Sequence, residues 1–174
     1  MTYYKILFGD DETFGVAYPV EKIGLFLLPE SGPVQDWKPL TLELRDGEFA
    51  DYLGSELGCR LCSDRLRSIL QKHASPDDEL QWLPVVVQQG TENRPYSILH
   101  FPNSPDVLNK EKTLFAGDTG FVVKAVFLPS ALVNHSVFAY PGGGELSLFV
   151  SEPVKQAIEA AGCTGMELSV APVR

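Results

Sequence analysis

The chain has 174 residues, 44% of them hydrophobic and 21% charged, with a formal net charge of −9 and a pI near 4.7. That length suits one α+β domain over residues 1–174, and the composition is that of an ordinary folded protein. The negative charge argues against nucleic acid and anionic membrane as partners and favours a basic protein.

Tyr3 to Phe8 is aromatic and apolar enough for an opening strand. The turn GDDETFG follows and carries Asp10, Asp11 and Glu12. Ile23 to Leu28 reads as a short apolar strand, and Leu40 to Leu44 (LTLEL) alternates with the period of a half-buried one. Between them VQDWKP places Trp37 in a loop, where it either packs on the domain or anchors an interface. Over Glu48 to Gly58 the spacing of Phe49, Tyr52 and Leu53 suggests one helical turn.

Ser63 suits a helix N-cap, and Leu66, Ile69, Leu70 and His73 then recur at i, i+3, i+4 and i+7. The acidic turn SPDDE, with Asp77 and Asp78, ends that helix, and Leu80 to Val87 reads as a buried strand. Strands are expected at Tyr96 to Phe101, Phe121 to Leu128, Ser136 to Tyr140 and Leu146 to Val150, with a polar connection at Asn103 to Thr113. A second helix starts at Ser151 and shows Val154, Ala157, Ile158 and Ala161 on one face, with Gly162 as its stop. Met166 to Val170 is the closing strand.

Residues 61–85 align without a gap on residues 149–173. Ser63 meets Ser151, Asp64 meets Glu152, Arg67 meets Lys155, Glu79 meets Glu167, Leu80 meets Leu168 and Pro84 meets Pro172. Each segment reads as capped helix, turn, strand. With strands in runs between them, the expected class is α+β with a largely antiparallel sheet and two similar capped helix–strand units.

Motifs for chemistry are sparse. Cys59 and Cys62 form a CxxC without the second ligand pair of a zinc site, and Cys163 stands apart, so packing is the expected role of Cys59 and Cys62. The cluster Asp10, Asp11 and Glu12 is too short to specify magnesium and reads as a solvated turn or an acidic edge facing a partner. Gly142, Gly143 and Gly144 precede a strand, so they mark a turn instead of a phosphate loop. His73, His100 and His135 have no nucleophile in a recognisable local motif. The reading names no catalytic residue, metal or cofactor. An early acidic cluster, the lack of an apolar leader or spanning stretch, and an odd cysteine count point to the cytoplasm.

Several segments resemble the eleventh immunity protein family of the bacterial polymorphic toxin systems. They are Cys62-Ser63-Asp64, Leu83-Pro84-Val85, Tyr96-Ser97-Ile98-Leu99, Asn109 to Thr113, Val137-Phe138-Ala139 and, most specifically, Val150 to Glu167. The resemblance covers about residues 50–174. Cys62 replaces a usual valine, Asn109 an aspartate and Thr113 a serine. The resemblance implies a non-enzymatic protein that sterically neutralises a cognate toxin. The alternatives are an adaptor unrelated to toxins, or an enzyme whose site gathers Asp10, Glu12 and His100. Charge and expected exposure single out Asp10, Asp11, Glu12, Trp37, Asp77 and Asp78 as the partner-facing residues.

Overall fold

The computed structural model describes residues 1–24, 26, 28–144 and 146–174. It is an α+β fold in which, among the described residues, twelve strands accompany two α-helices. The strands are β1 (Tyr3–Phe8), β2 (Val16–Pro19), β3 (Leu40–Leu44), β4 (Tyr52–Ser55), β5 (Leu61–Ser63), β6 (Gln81–Gln89), β7 (Glu92–His100), β8 (Leu114–Phe115), β9 (Val122–Lys124), β10 (Val137–Phe138), β11 (Phe149–Ser151) and β12 (Met166–Val170). The helices are α1 (Asp64–His73) and α2 (Glu152–Ala160).

Six strands close into a barrel in the order β2-β3-β6-β7-β5-β4, and four form an open sheet in the order β10-β11-β1-β12. A third, two-stranded sheet pairs β8 with β9. The expected largely antiparallel pairing is observed, but the strands divide among a barrel and two further sheets. Most pairs are antiparallel, but β2–β4 and β3–β6 run parallel, and those two pairings close the barrel.

Three apolar clusters fill the molecule. The barrel interior holds Leu42, Leu44, Leu53, Leu61, Leu83, Val85, Val87 and Ile98. A second cluster joins the outer barrel wall to one face of the sheet, with Tyr52, Cys62 and Leu99 from the barrel and Ile6, Leu148 and Val150 from the sheet. Leu66 and Leu70 of α1 and Val154 and Ile158 of α2 complete it. Each such side chain, fully buried, contributes about 2 kcal/mol of transfer free energy. The third cluster is aromatic and covers the other face of the sheet with Tyr3, Phe127, Phe138 and Phe149.

The expected segment at Glu48 to Gly58 is a strand, β4, and not a helical turn. Tyr52 packs outward into the second cluster while Leu53 packs into the barrel. Both faces of this strand are buried, so neighbouring apolar residues imitate a helical spacing. The expected strands at 121–128, 136–140 and 146–150 are shorter, at Val122–Lys124, Val137–Phe138 and Phe149–Ser151. Those at 80–87 and 96–101 lengthen into the hairpin Gln81–Gln89 and Glu92–His100. Of the expected strand at Ile23 to Leu28, residues 25 and 27 lie outside the described residues, and the others carry no regular structure.

Both helices start at the expected serine, with a difference. Ser63 accepts from the Leu66 amide at 3.2 Å, whereas Ser151 makes no side-chain cap bond. Each helix joins two strands that pair with opposite edges of a third. β5 and β6 flank β7 in the barrel, and β11 and β12 flank β1 in the sheet.

Candidate functional site

Asp10, Asp11 and Glu12 are exposed on the turn that leaves β1. Asp11 Oδ1 accepts the Thr13 amide at 2.9 Å. The Thr13 hydroxyl and amide hold its carboxyl below the ordinary value. The turn is fastened behind: the Glu48 amide donates to Thr13 O at 2.8 Å, and the Gly15 amide to Glu48 O at 3.1 Å. A Cβ on Gly15 would fall 1.9 Å from Asp46 O, so only glycine permits this approach. Three carboxylates are therefore displayed on a backbone that is already ordered.

The acidic turn after α1 divides. Asp77 is exposed. The Asp78 side chain has no exposure and is spent internally. Its Oδ2 accepts the amides of Ser75, Ser136 and Val137 at 2.7, 2.9 and 2.9 Å, and Oδ1 lies 2.9 Å from His135 Nδ1. Asp78 ties the end of α1 to the approach to β10, and only Asp77 offers charge to a partner. Trp37 is half-buried against the barrel. Its Nε1 donates to Pro84 O at 2.9 Å, and its ring meets Phe26 edge-on at 6.2 Å. Packing on the domain accounts for this tryptophan.

Cys59 lies in the barrel core and Cys62 in the cluster outside it, both without exposure. Burial pushes the Cys62 thiol far up and raises that of half-exposed Cys163, so neither is poised as a thiolate. Among the described residues no group of three or more His, Cys, Asp or Glu side chains is placed to hold a metal ion. His73 lies half-buried at the last turn of α1. His100 is buried with Nε2 2.8 Å from Gly32 O, whereas Asp10 and Glu12 are exposed. Gly142 and Gly144 take positive φ in a turn that Arg60 pins to the barrel, through bonds of 2.7 Å to Ser147 O and 3.0 Å to Gly144 O.

The densest polar site was not singled out in the sequence. Asp51, just before β4, is buried, and its carboxylate accepts from five donors. Ser63 Oγ lies at 2.6 Å, Arg65 Nε at 3.1 Å and Arg65 NH2 at 2.5 Å. The Thr164 amide and hydroxyl lie at 2.9 and 3.2 Å. Arg65 also donates to Ala161 O and Gly162 O at the end of α2, at 3.2 and 3.3 Å. Burial pushes the Asp51 carboxyl upward, but its bonds to Arg65, Ser63 and Thr164 outweigh burial and hold it below its ordinary value. The one sequence signal was an acidic residue inside the apolar run FADYLG.

An open cavity of about 340 Å³ lies over this cluster and is also lined by Arg94 and Tyr96. Asp51, Arg65 and Arg94 are already paired, and the exposed Asp64 also lines it. Arg94 stacks on Phe49 at 4.1 Å and donates to Glu92 at 2.7 Å, and Tyr96 donates to Ala50 O at 2.7 Å. The arrangement braces barrel, α1 and the α2–β12 turn against one another. No helix is long and apolar enough to cross a membrane among the described residues. The chain matches no protein-family model and no curated protein.

Proposed function

We propose that the chain is a cytoplasmic immunity protein that binds a basic bacterial toxin and blocks it sterically. The reading starts from the family resemblance of Val150 to Glu167. The observation that favours it is the turn Asp10-Asp11-Glu12, whose exposed carboxylates stand on a pre-ordered backbone in a chain of net charge −9. Such a surface draws a basic protein in by electrostatic steering and loses little entropy on docking. Asp77 adds exposed charge at the end of α1. Of the groups weighed for catalysis, His100 and the cysteines are spent on packing or on a backbone carbonyl, and Asp10 and Glu12 stand exposed on the turn, apart from buried His100. The two strand–helix–strand segments serve, in this reading, as one scaffold device used twice, which leaves the connecting turns for recognition.

Co-expression with the secreted toxin encoded beside the gene tests the proposal. Survival that depends on this chain is the expected result. Equal killing with and without it overturns the reading, and a gene with no toxin-like neighbour favours an adaptor instead.

A further inference from the structure

The barrel has no free edge, but the open sheet ends at β12. Its ladder with β1 fixes which backbone groups remain unpaired. The Ala171 amide donates to Tyr3 O, and the Gly9 amide to Gly165 O. In this register Lys5 faces Ser169 and Leu7 faces Glu167. Hydrogen-bonded residues alternate along an antiparallel pair, so Glu167 and Ser169 point their amides and carbonyls at β1. Met166, Leu168 and Val170 point theirs away from β1; just past them the same edge is occupied, because the Phe127 amide donates to Pro172 O and Phe127 O accepts the Arg174 amide, so the free run is limited to these three residues. None of the five residues of β12 is buried, and Val170 is 66% exposed.

We propose that this edge pairs with the same edge of a second copy, antiparallel and centred on Leu168. The inference does not rest on the immunity reading. Register selects the occupant. A twofold axis at Leu168 sets Leu168 against its equivalent, and Met166 against Val170 of the second copy. These are the residues whose backbone groups face outward, so every outward donor meets an acceptor. Their side chains share one face, and neighbouring β1 supplies Tyr4, Ile6 and Phe8 on it. The joined sheet thus carries apolar rows such as Tyr4, Val170, then Met166 and Phe8 of the second copy.

Charge on the opposite face agrees. Lys5 and Glu167 are each without an ion-pair partner among the described residues. In the joined sheet Glu167 of one copy faces Ser169 of the other, whose neighbour on β1 is Lys5. Two strand spacings, about 10 Å, then separate the backbones, a span that the two long side chains bridge. The twofold axis makes this pair twice. The net charge of −9 on each copy opposes encounter, so added salt quickens association.

Sedimentation of the whole chain tests the inference. A dimer with a dissociation constant on the order of 10 µM is expected. Val170→Pro removes an outward amide and spares the β1 ladder, and it weakens association at least about tenfold. Glu167→Lys weakens it by a similar factor, and Lys5→Glu in the same chain restores it to within about threefold. Near-UV circular dichroism confirms the fold of each variant, and the charge swap decides if Val170→Pro fails to fold. A chain that stays monomeric to about 500 µM overturns the inference. So does a dimer that neither substitution weakens.

Discussion

In the barrel, β5–α1–β6 brackets β7; in the sheet, β11–α2–β12 brackets β1. Both helices bury two residues at equivalent positions of the aligned segments, Leu66 and Leu70 in one and Val154 and Ile158 in the other. The surroundings differ. Two parallel pairings close the barrel strands into a ring, whereas the sheet strands stop at β12. Closure satisfies every strand on both sides and leaves the barrel unable to add another. The open sheet keeps a row of unpaired amides and carbonyls. A helix with one apolar stripe serves in both settings, and the neighbouring strands decide whether a region is sealed or available.

The strongest way to break the comparison is to cut the brace between the two regions. Asp51→Ala leaves Arg65, Ser63 and Thr164 with unmet donors in a partly buried site and is expected to cost about 3 kcal/mol in urea unfolding. The linkage sign is definite. The folded carboxyl is held below its ordinary value of 3.8, so its stabilisation is present above that pH and fades as the pH falls through the folded value. Urea midpoints of the parent and Asp51→Ala therefore converge in acid. Parallel curves would show that the carboxylate carries no differential charge stabilisation.

A smaller effect sharpens the contrast between the helices. Ser63 caps α1 and also donates to Asp51, so Ser63→Ala is expected to lose about 1.5 kcal/mol. Ser151 makes no cap bond, and Ser151→Ala is expected to lose less than about 0.5 kcal/mol. Equal losses in thermal melts would erase the distinction. The smallest stability change belongs to the exposed turn. Asp10→Lys with Glu12→Lys leaves the melting temperature unchanged within about 1 °C, because neither residue holds the turn. The same pair slows association with a basic toxin at low salt, measured by stopped flow, and an unchanged rate removes this turn from the interface.

The sequence shows some of these features directly and hides others for physical reasons. β1, β3 and β12 run over the expected residues, because β-rich composition or alternation marks them. Both helices are legible from serine caps and a single apolar face. Barrel closure is hidden, because β4, β5 and β7 lie between two cores. Leu61 and Ile98 point inward while Cys62 and Leu99 point outward, which removes the polar half of the alternation. The candidate site is partly legible. Exposure of Asp10, Asp11, Glu12 and Asp77 follows from their place in polar turns. The burial of Asp78 does not, because its partners Ser136 and Val137 are distant in sequence. Asp51 is hidden for the same reason, since Thr164 reaches it across 113 positions.

The position of β1 has a consequence during synthesis. Every barrel strand lies within residues 16–100, so all of them are made before β11 and β12. β1 is made first, yet both of its neighbours, β11 and β12, are made last. At elongation rates of about 5–20 residues per second the segment YYKILF spends on the order of ten seconds without its strand partners. The nascent chain thus carries every barrel strand while its apolar leader is unpaired. β11 and β12 then close the sheet on either side of β1.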